Sequence, residues 1–190
     1  MTTIFKKGAL IFAALFAGAL LFAEPAISDY QGKDKGAKVP AWVELFDKAA
    51  ANQTSGAIGF TSKTKKLYKK LGVANDKILF YSVQTGNDKD AAIANAKAQA
   101  KDAAAKCVLN DAQKILDEKL GAGKAALTQP KDIFGFARAQ EFWANNGGQF
   151  KAYSIWQITS LNYIEAGKSL ANSYLQEHGL LPKGEGSNER

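Results

Sequence analysis

The stretch DKDAAIANAKAQAKDAAAKCV, Asp88 to Val108, contains nine alanines and one cysteine, and it decides the fold. Alanine has the highest helix propensity of the ordinary residues, so the stretch predicts one long helix. Asp88 or Asp90 is expected to cap it, and the helical pattern continues to about Leu120. The residues predicted to share its inward stripe are Ile93, Ala96, Ala100, Ala103, Ala104, Cys107, Val108, Ile115 and Leu116.

The first half of this stripe carries only small side chains apart from Ile93. Because a single methyl group lets a helix approach a sheet closely, we expect the alanines to set a short helix-to-sheet distance in a well-packed interior. In the alternative interpretation they are only helix formers on a solvated face. Burial of Ala100 and Ala104 would decide between the two.

Segments on both sides of the long helix predict a small sheet. Before it, KILFYSVQTG at 77–86 is rich in β-branched and aromatic residues and ends in a turn-forming cluster. After it, two β-favouring runs flank NNGG at 145–148, which predicts an antiparallel hairpin because these residues tolerate positive φ. The second run, 149–159, is apolar on both faces and therefore requires cover on both sides.

Three further helices are predicted by their apolar spacing. The first follows Pro40, the second runs between Thr61 or Ser62 and Gly72, and the last runs from about Ser160 to His178. Residues expected to point inward are Trp42, Val43 and Phe46 in the first, Leu67, Tyr68 and Leu71 in the second, and Leu161, Ile164, Leu170, Ala171, Tyr174 and Leu175 in the last. SGAIGFT is predicted as a turn or short strand, and TQPKDIFGF as a loop.

The beginning of the chain has the layout of a secretory signal peptide. Lys6 and Lys7 precede an apolar run of 16 residues, shorter than the ~20 that a membrane-spanning helix needs. We therefore predict a signal peptide at 1–28, a flexible leader at 29–38, a single α+β domain at 39–179 and a flexible tail at 180–190. The expected location is periplasmic or secreted, with no transmembrane segment in the mature chain.

Cysteine and histidine, which are common in catalytic and metal sites, are scarce in this sequence. Cys107 and His178 are the only cysteine and histidine, so neither a disulfide framework nor a triad or metal site can be assembled around them. Packing for Cys107 and a role at the helix end for His178 are the better interpretations. We expect no catalytic residue, no cofactor and no metal, and, for an exported protein, no nucleic-acid partner.

Two surfaces are candidates for interaction. The first carries five lysines in eight residues, a pattern that suits an anionic polymer or lipid surface, although a solvated helix face is the alternative. These are Lys63, Lys65, Lys66, Lys69 and Lys70. The second comprises Trp143, Tyr153 and Trp156 on the hairpin, which form either an exposed recognition surface or part of the core.

The motifs VPAWV, VQTG, AKAQAKDAAA and EFWANNGGQFKAYSIWQI occur in this order over about 39–159. The pattern resembles the LPP-twenty-like bacterial envelope lipoproteins and the N-terminal domain of the flagellar outer-ring protein FlgT. The resemblance implies a compact α+β domain, exported to the envelope, that acts by protein association without catalysis. The chain departs from the lipoproteins because it lacks the lipidated cysteine, and it carries an insertion with the lysine-rich helix.

Two functions follow from these observations. The first is a non-catalytic exported envelope protein that binds another protein, in a flagellar or cell-surface assembly if the resemblance holds. The alternative is a binding module for an anionic envelope ligand, either a cell-wall polymer or acidic lipid, through the lysine-rich helix. An enzyme ranks third, because no acid, base and nucleophile converge in the sequence.

Overall fold

A computed structural model describes residues 31–32, 39–51 and 53–180 of the chain, and the fold class is α+β, as predicted. The predicted signal peptide and most of the predicted leader and tail lie outside these residues. The elements in chain order are β1 (Gln31–Gly32), α1 (Ala41–Ala50), β2 (Ser55–Ile58), α2 (Lys65–Leu71), β3 (Lys77–Gly86), α3 (Lys89–Leu120), β4 (Ala137–Asn146), β5 (Gln149–Thr159) and α4 (Ser160–Glu177).

The strands form one antiparallel sheet in the order β1-β4-β5-β3-β2. Its centre is the long pairing of β3 with β5, from Lys77 opposite Thr159 to Gly86 opposite Phe150. The predicted hairpin joins β4 to β5 through Gly147 and Gly148, whose φ angles of 57° and 93° are both positive. Glycine adopts such angles without steric cost, and this explains why the turn forms here.

Strand β1 differs from the sequence prediction. Gln31 and Gly32 pair with Asn145 and Ala144 of β4, whereas this part of the chain was predicted as an unstructured leader. The edge of β4 has unpaired backbone groups that a passing segment can satisfy without any apolar pattern of its own. Backbone pairing of this kind leaves no periodic signal in the sequence.

One face of the sheet is covered by α1 and α2, and its core is aromatic. Trp42 and Phe46 of α1 meet Tyr81, Phe142 and Tyr153 of the sheet in edge-on ring pairs, with centroids 4.9 to 6.2 Å apart. The predicted inward residues of the first two helices are all buried. Burial of this much aromatic area is a main source of the domain's stability.

The opposite face of the sheet is covered by α3, and the buried side chains of this helix are mostly small. Ala100 and Ala104 are fully buried, so the alanine stripe packs against the sheet, as predicted. Below it lie small strand residues, including Ala152 and the buried Ser82 and Ser154. The buried set on α3 is Ala92, Ala96, Ala100, Ala104, Ala105, Val108, Ala112 and Leu116, with the predicted Ile93, Ala103, Cys107 and Ile115 half-buried at its edges.

The second half of α3 leaves the sheet and packs against α4. At 1.5 Å per residue α3 is ~48 Å long, whereas a strand of ten residues spans ~33 Å. A separate apolar cluster therefore forms between the two helices, consisting of Ala112, Leu116, Ala125, Ala171 and Leu175. Gly167 of α4 is buried against α3, and this small residue allows the two backbones to approach.

Candidate functional site

A tight turn presents one aromatic side chain to solvent. The Phe136 amide donates to the Ile133 carbonyl oxygen over 3.2 Å, and Gly135 has φ +76°, as a type II turn requires at its third position. Ile133 and Phe136 both pack on the core, where the Phe136 ring stacks on Trp156 with centroids 5.1 Å apart. Phe134, between these two anchors, is 87% exposed.

The start of α4 carries two exposed aliphatic side chains. Leu161 is 68% exposed and Ile164 is 51% exposed. They lie three residues apart, so they project from neighbouring positions on the helix. The Asn162 side chain lies directly against Gly135, which places the start of α4 next to the turn. We call Phe134, Leu161 and Ile164 the apolar corner.

The sequence prediction that Leu161 and Ile164 point inward is wrong. The inward position at this end of α4 is taken by the half-buried Tyr163, which was not among the predicted inward residues. Its ring lies 5.9 Å from that of Phe80, and its hydroxyl reaches Asp111 of α3. With Tyr163 and Gly167 facing α3, the two aliphatic residues fall to one side of the buried stripe.

The apolar corner is held in place by backbone contacts. The amide and the hydroxyl of Ser160 both donate to the carbonyl oxygen of Asp76, at 2.8 and 2.9 Å. Thr159 caps α4 by accepting a hydrogen bond from the Asn162 amide at 3.0 Å. These contacts fix the start of α4 relative to the sheet.

The five predicted lysines lie together on one surface, which we call the lysine face. Lys65, Lys66, Lys69 and Lys70 are exposed on α2, while Leu67, Tyr68 and Leu71 are buried on its other side. Lys63 is exposed in the turn before α2. The predicted N-cap, Thr61 or Ser62, is wrong, because α2 begins at Lys65 with Thr64 at its N-cap. Among the described residues, no carboxylate forms an ion pair with any of the five.

Tyr68 attaches the lysine face to the sheet. Its hydroxyl lies 2.9 Å from the carbonyl oxygens of both Ile58 and Lys77 and has one proton to share between them. Burial raises the pKa of Tyr68 to about 12, despite the opposing effect of a backbone hydrogen bond from Leu79. Gly72 ends the helix with φ +69°. The lysines are thus carried by a rigid element.

The aromatic residues of the hairpin do not form one exposed surface. Tyr153 is fully buried, so of the two interpretations, an exposed recognition surface or part of the core, the second holds for this residue. In the strand register, Trp143 pairs with Ala152 and Phe142 with Tyr153, which puts Trp143 and Tyr153 on opposite faces of the sheet. Trp143 is half-buried against Phe150, with the Lys89 ammonium 5.6 Å from its ring. Sequence alternation alone does not say which helices cover a strand.

A group of titratable side chains with shifted pKa values lies between α3 and α4. Lys114 and the Tyr163 hydroxyl, through hydrogen bonds, lower the pKa of Asp111. Burial, followed by the hydrogen bond to Asp111, raises the pKa of Tyr163. Burial, with Asp111 adding to it, raises the pKa of Cys107, so this thiol stays protonated at neutral pH and is a weak nucleophile. The cluster is suited to holding two helices together.

His178 occupies the C-cap of α4, as expected from its position. Its Nδ1 lies 2.8 Å from the Tyr174 carbonyl oxygen, and its ring stacks on Tyr174 with centroids 4.0 Å apart. Within residues 39–51 and 53–180, no three His, Cys, Asp or Glu side chains come together as metal ligands. None of the helices in the described part of the chain has both the length and the apolar character needed to cross a bilayer.

Comparison of the chain with protein-family models, curated proteins and solved structures gave no match. The resemblance to the envelope lipoproteins and to the flagellar ring domain is therefore still a prediction. Two features reach the surface in an arrangement that suits binding. These are the apolar corner, which was not predicted from the sequence, and the lysine face, which was.

Proposed function

We propose that this chain is a non-catalytic exported envelope protein that acts by binding another protein, in a flagellar or cell-surface assembly as the resemblance implies. The observation that supports this most is the apolar corner. Isolated exposed apolar residues are ordinary on protein surfaces, but here Phe134 and Leu161 each neighbour in sequence one partner of the contact between Gly135 and Asn162, and Ile164 follows Leu161 by three residues on α4. Such an arrangement is typical of an association site.

Phe134 is the anchor residue of this proposed interface. Protein interfaces depend on a few rigid aromatic side chains that enter apolar pockets of the partner, surrounded by contacts that exclude water. Phe134 projects from a turn fixed on both sides, and the start of α4 next to this turn carries the exposed Leu161 and Ile164. Full burial of one such ring contributes about 1.5–3 kcal/mol. The partner is therefore a protein with an apolar pocket that admits a phenylalanine ring.

Association, as opposed to chemistry, is supported by the placement of the perturbed titratable groups. Asp111 interacts with Lys114 and Tyr163, and Tyr68 shares its proton between backbone carbonyl oxygens. Each of these arrangements joins one structural element to another, or satisfies a buried polar atom. A catalytic acid or base instead needs to face a cleft that a substrate can enter.

Site-specific photo-crosslinking in cells tests this proposal. A photoreactive phenylalanine analogue replaces Phe134 in the full-length protein, and crosslinked products are identified by mass spectrometry. A matched control carries the analogue at Gln99, which is exposed on α3 away from the corner. We expect one protein adduct from position 134 that is absent from position 99.

The Leu161→Asp variant provides the second measurement. It puts a charge at an exposed position of the corner, so the fold is retained while the adduct from position 134 is lost. If position 134 yields no protein adduct, or if the same adduct forms equally from position 99, the proposal is wrong.

A further inference from the structure

The lysine face is a surface of one charge sign without internal compensation. The segment 59–75 contains five lysines and no aspartate or glutamate. At 100° per residue, Lys65, Lys66, Lys69 and Lys70 fall within an arc of ~140° on the exposed side of α2. Lys65 with Lys69, and Lys66 with Lys70, are like-charge pairs four residues apart, an arrangement that destabilises a helix. An anionic partner relieves this repulsion.

The chemistry of the face indicates what kind of anion it fits. All apolar side chains of α2 are buried in the core, so the helix has none left to insert into a membrane interior. Its exposed charges are ammonium groups on flexible stems, which suit a layer of mobile anionic groups, whereas bidentate recognition of one fixed anion favours arginine. Extended polymers are generally bound in grooves that follow the chain, whereas α2 offers the convex side of a helix.

We propose that the lysine face binds the surface of an anionic phospholipid bilayer. Clusters of four to eight basic residues on a helix are typical of contact with acidic lipid headgroups. Tyr68 and the Gly72 helix end fix α2 to the sheet, so the four helical ammonium groups approach a membrane together. Contact stays at the level of the headgroups and depends on ionic strength.

This inference goes beyond the protein-binding function and involves a different surface. α2 packs with α1 on one face of the sheet, whereas the turn that carries Phe134 packs on the opposite face together with α3. One molecule can therefore contact a bilayer and a protein partner at separate places. The two proposals fail independently, because Phe134 takes no part in lipid binding and the lysine face takes no part in the protein adduct.

Vesicle co-sedimentation of the full-length protein tests the inference. Vesicles of phosphatidylcholine with phosphatidylglycerol are compared with vesicles of phosphatidylcholine alone, and the measured quantity is the additional binding to the anionic vesicles. This difference removes any contribution of the apolar run at 8–23. We expect K65Q/K66Q/K69Q to weaken the additional binding by ~100-fold, from ~1 kcal/mol for each lysine near an anionic surface.

The control variant is K97Q/K119Q/K124Q, which removes the same net charge from exposed positions outside α2. It should weaken binding by less than ~3-fold, because only charges within about a Debye length of the bilayer contribute fully. Circular dichroism checks that both variants are folded. Equal losses in the two variants, or no preference for anionic vesicles, would overturn the inference. Binding to purified cell-wall polymer that is lost in K65Q/K66Q/K69Q without vesicle binding would also overturn it.

Discussion

The Tyr163 hydroxyl donates a hydrogen bond of 2.6 Å to the Asp111 carboxylate and so joins the start of α4 to the middle of α3. The same carboxylate also accepts a hydrogen bond from Lys114 at 2.8 Å. A short hydrogen bond to a charged acceptor is among the stronger side-chain contacts in proteins. Because the Tyr163 ring also packs near Phe80, this residue connects both helices to the sheet.

Removal of the Tyr163 hydroxyl should destabilise the fold. We expect Tyr163→Phe to lower the free energy of unfolding by about 1.5–3 kcal/mol, measured by urea denaturation, because a hydrogen bond to a charged group is lost. The matched control is Tyr174→Phe on the same helix, whose ring stacks on His178. A decrease as large in the control as in Tyr163→Phe would contradict this assignment.

The close approach of α3 to the sheet can be tested by enlarging one alanine. Ala100→Leu inserts three carbons where no space exists, and we expect a loss of stability of about 1–3 kcal/mol in thermal or urea unfolding. Ala98→Leu is the control, since Ala98 is exposed on the other side of the same helix. There the substitution should change stability by less than about 0.5 kcal/mol. Similar losses at both positions would show that packing against the sheet is not the reason for the lower stability of Ala100→Leu.

At Gly167, substitution by alanine is expected to stabilise the fold, in contrast to the two substitutions above. A Cβ atom at this position would lie 3.8 Å from the Ala112 amide nitrogen and from the Asp111 Cβ, which is ordinary van der Waals distance. Gly167→Ala should therefore raise the free energy of unfolding by about 0.5–1 kcal/mol, since alanine lowers the entropic cost of forming a helix. Gly167→Leu should lower it, because the larger side chain would separate the helices. A destabilised Gly167→Ala would mean that the backbones approach more closely than described.

The fold should lose stability at alkaline pH. Burial raises the pKa of Tyr68 to about 12, and burial also raises the pKa of Tyr163, so the folded state retains protons that the unfolded chain releases near pH 10. The contribution that these two tyrosines make to the free energy of unfolding is fully present below pH 10 and is lost as the pH rises toward 12. Urea unfolding midpoints between pH 8 and pH 11.5 measure this effect.

Tyr68→Phe is the companion variant for the alkaline measurement. It should be less stable at pH 8, because two carbonyl oxygens lose their shared donor. Its further decrease between pH 10 and pH 11.5 should be smaller than that of the unmodified protein. An equally steep decrease would mean that Tyr68 does not contribute to the transition.

Much of the framework could be predicted from the sequence, for a physical reason. The strands at 77–86 and 149–159 and the helix ending at Leu120 were placed correctly, because turn-forming residues lie at one end of each and their composition, β-branched and aromatic in the strands and rich in alanine in the helix, favours the observed structure. The alanine stripe and the exposure of the lysines followed from helical spacing alone. These features depend on local sequence.

The features that were missed depend on tertiary packing. Phe134 was not singled out because the sequence predicts a loop without specifying which of its side chains will be anchored. Leu161 and Ile164 were placed inward because aliphatic residues usually are, whereas Tyr163 occupies that position through its bond to Asp111. The burial of Tyr153 depends on α1, which is distant in the sequence.

α3 is one unbroken helix that contributes to apolar clusters along both of its halves, two against the sheet and one against α4. Because the same backbone hydrogen-bond ladder runs through both halves, no cluster can open far without fraying the rigid rod that supports the others. Amide hydrogens near Ala104 and near Leu116 should therefore exchange with deuterium through a shared opening event, and the sheet and the helical pair should melt as a single cooperative unit.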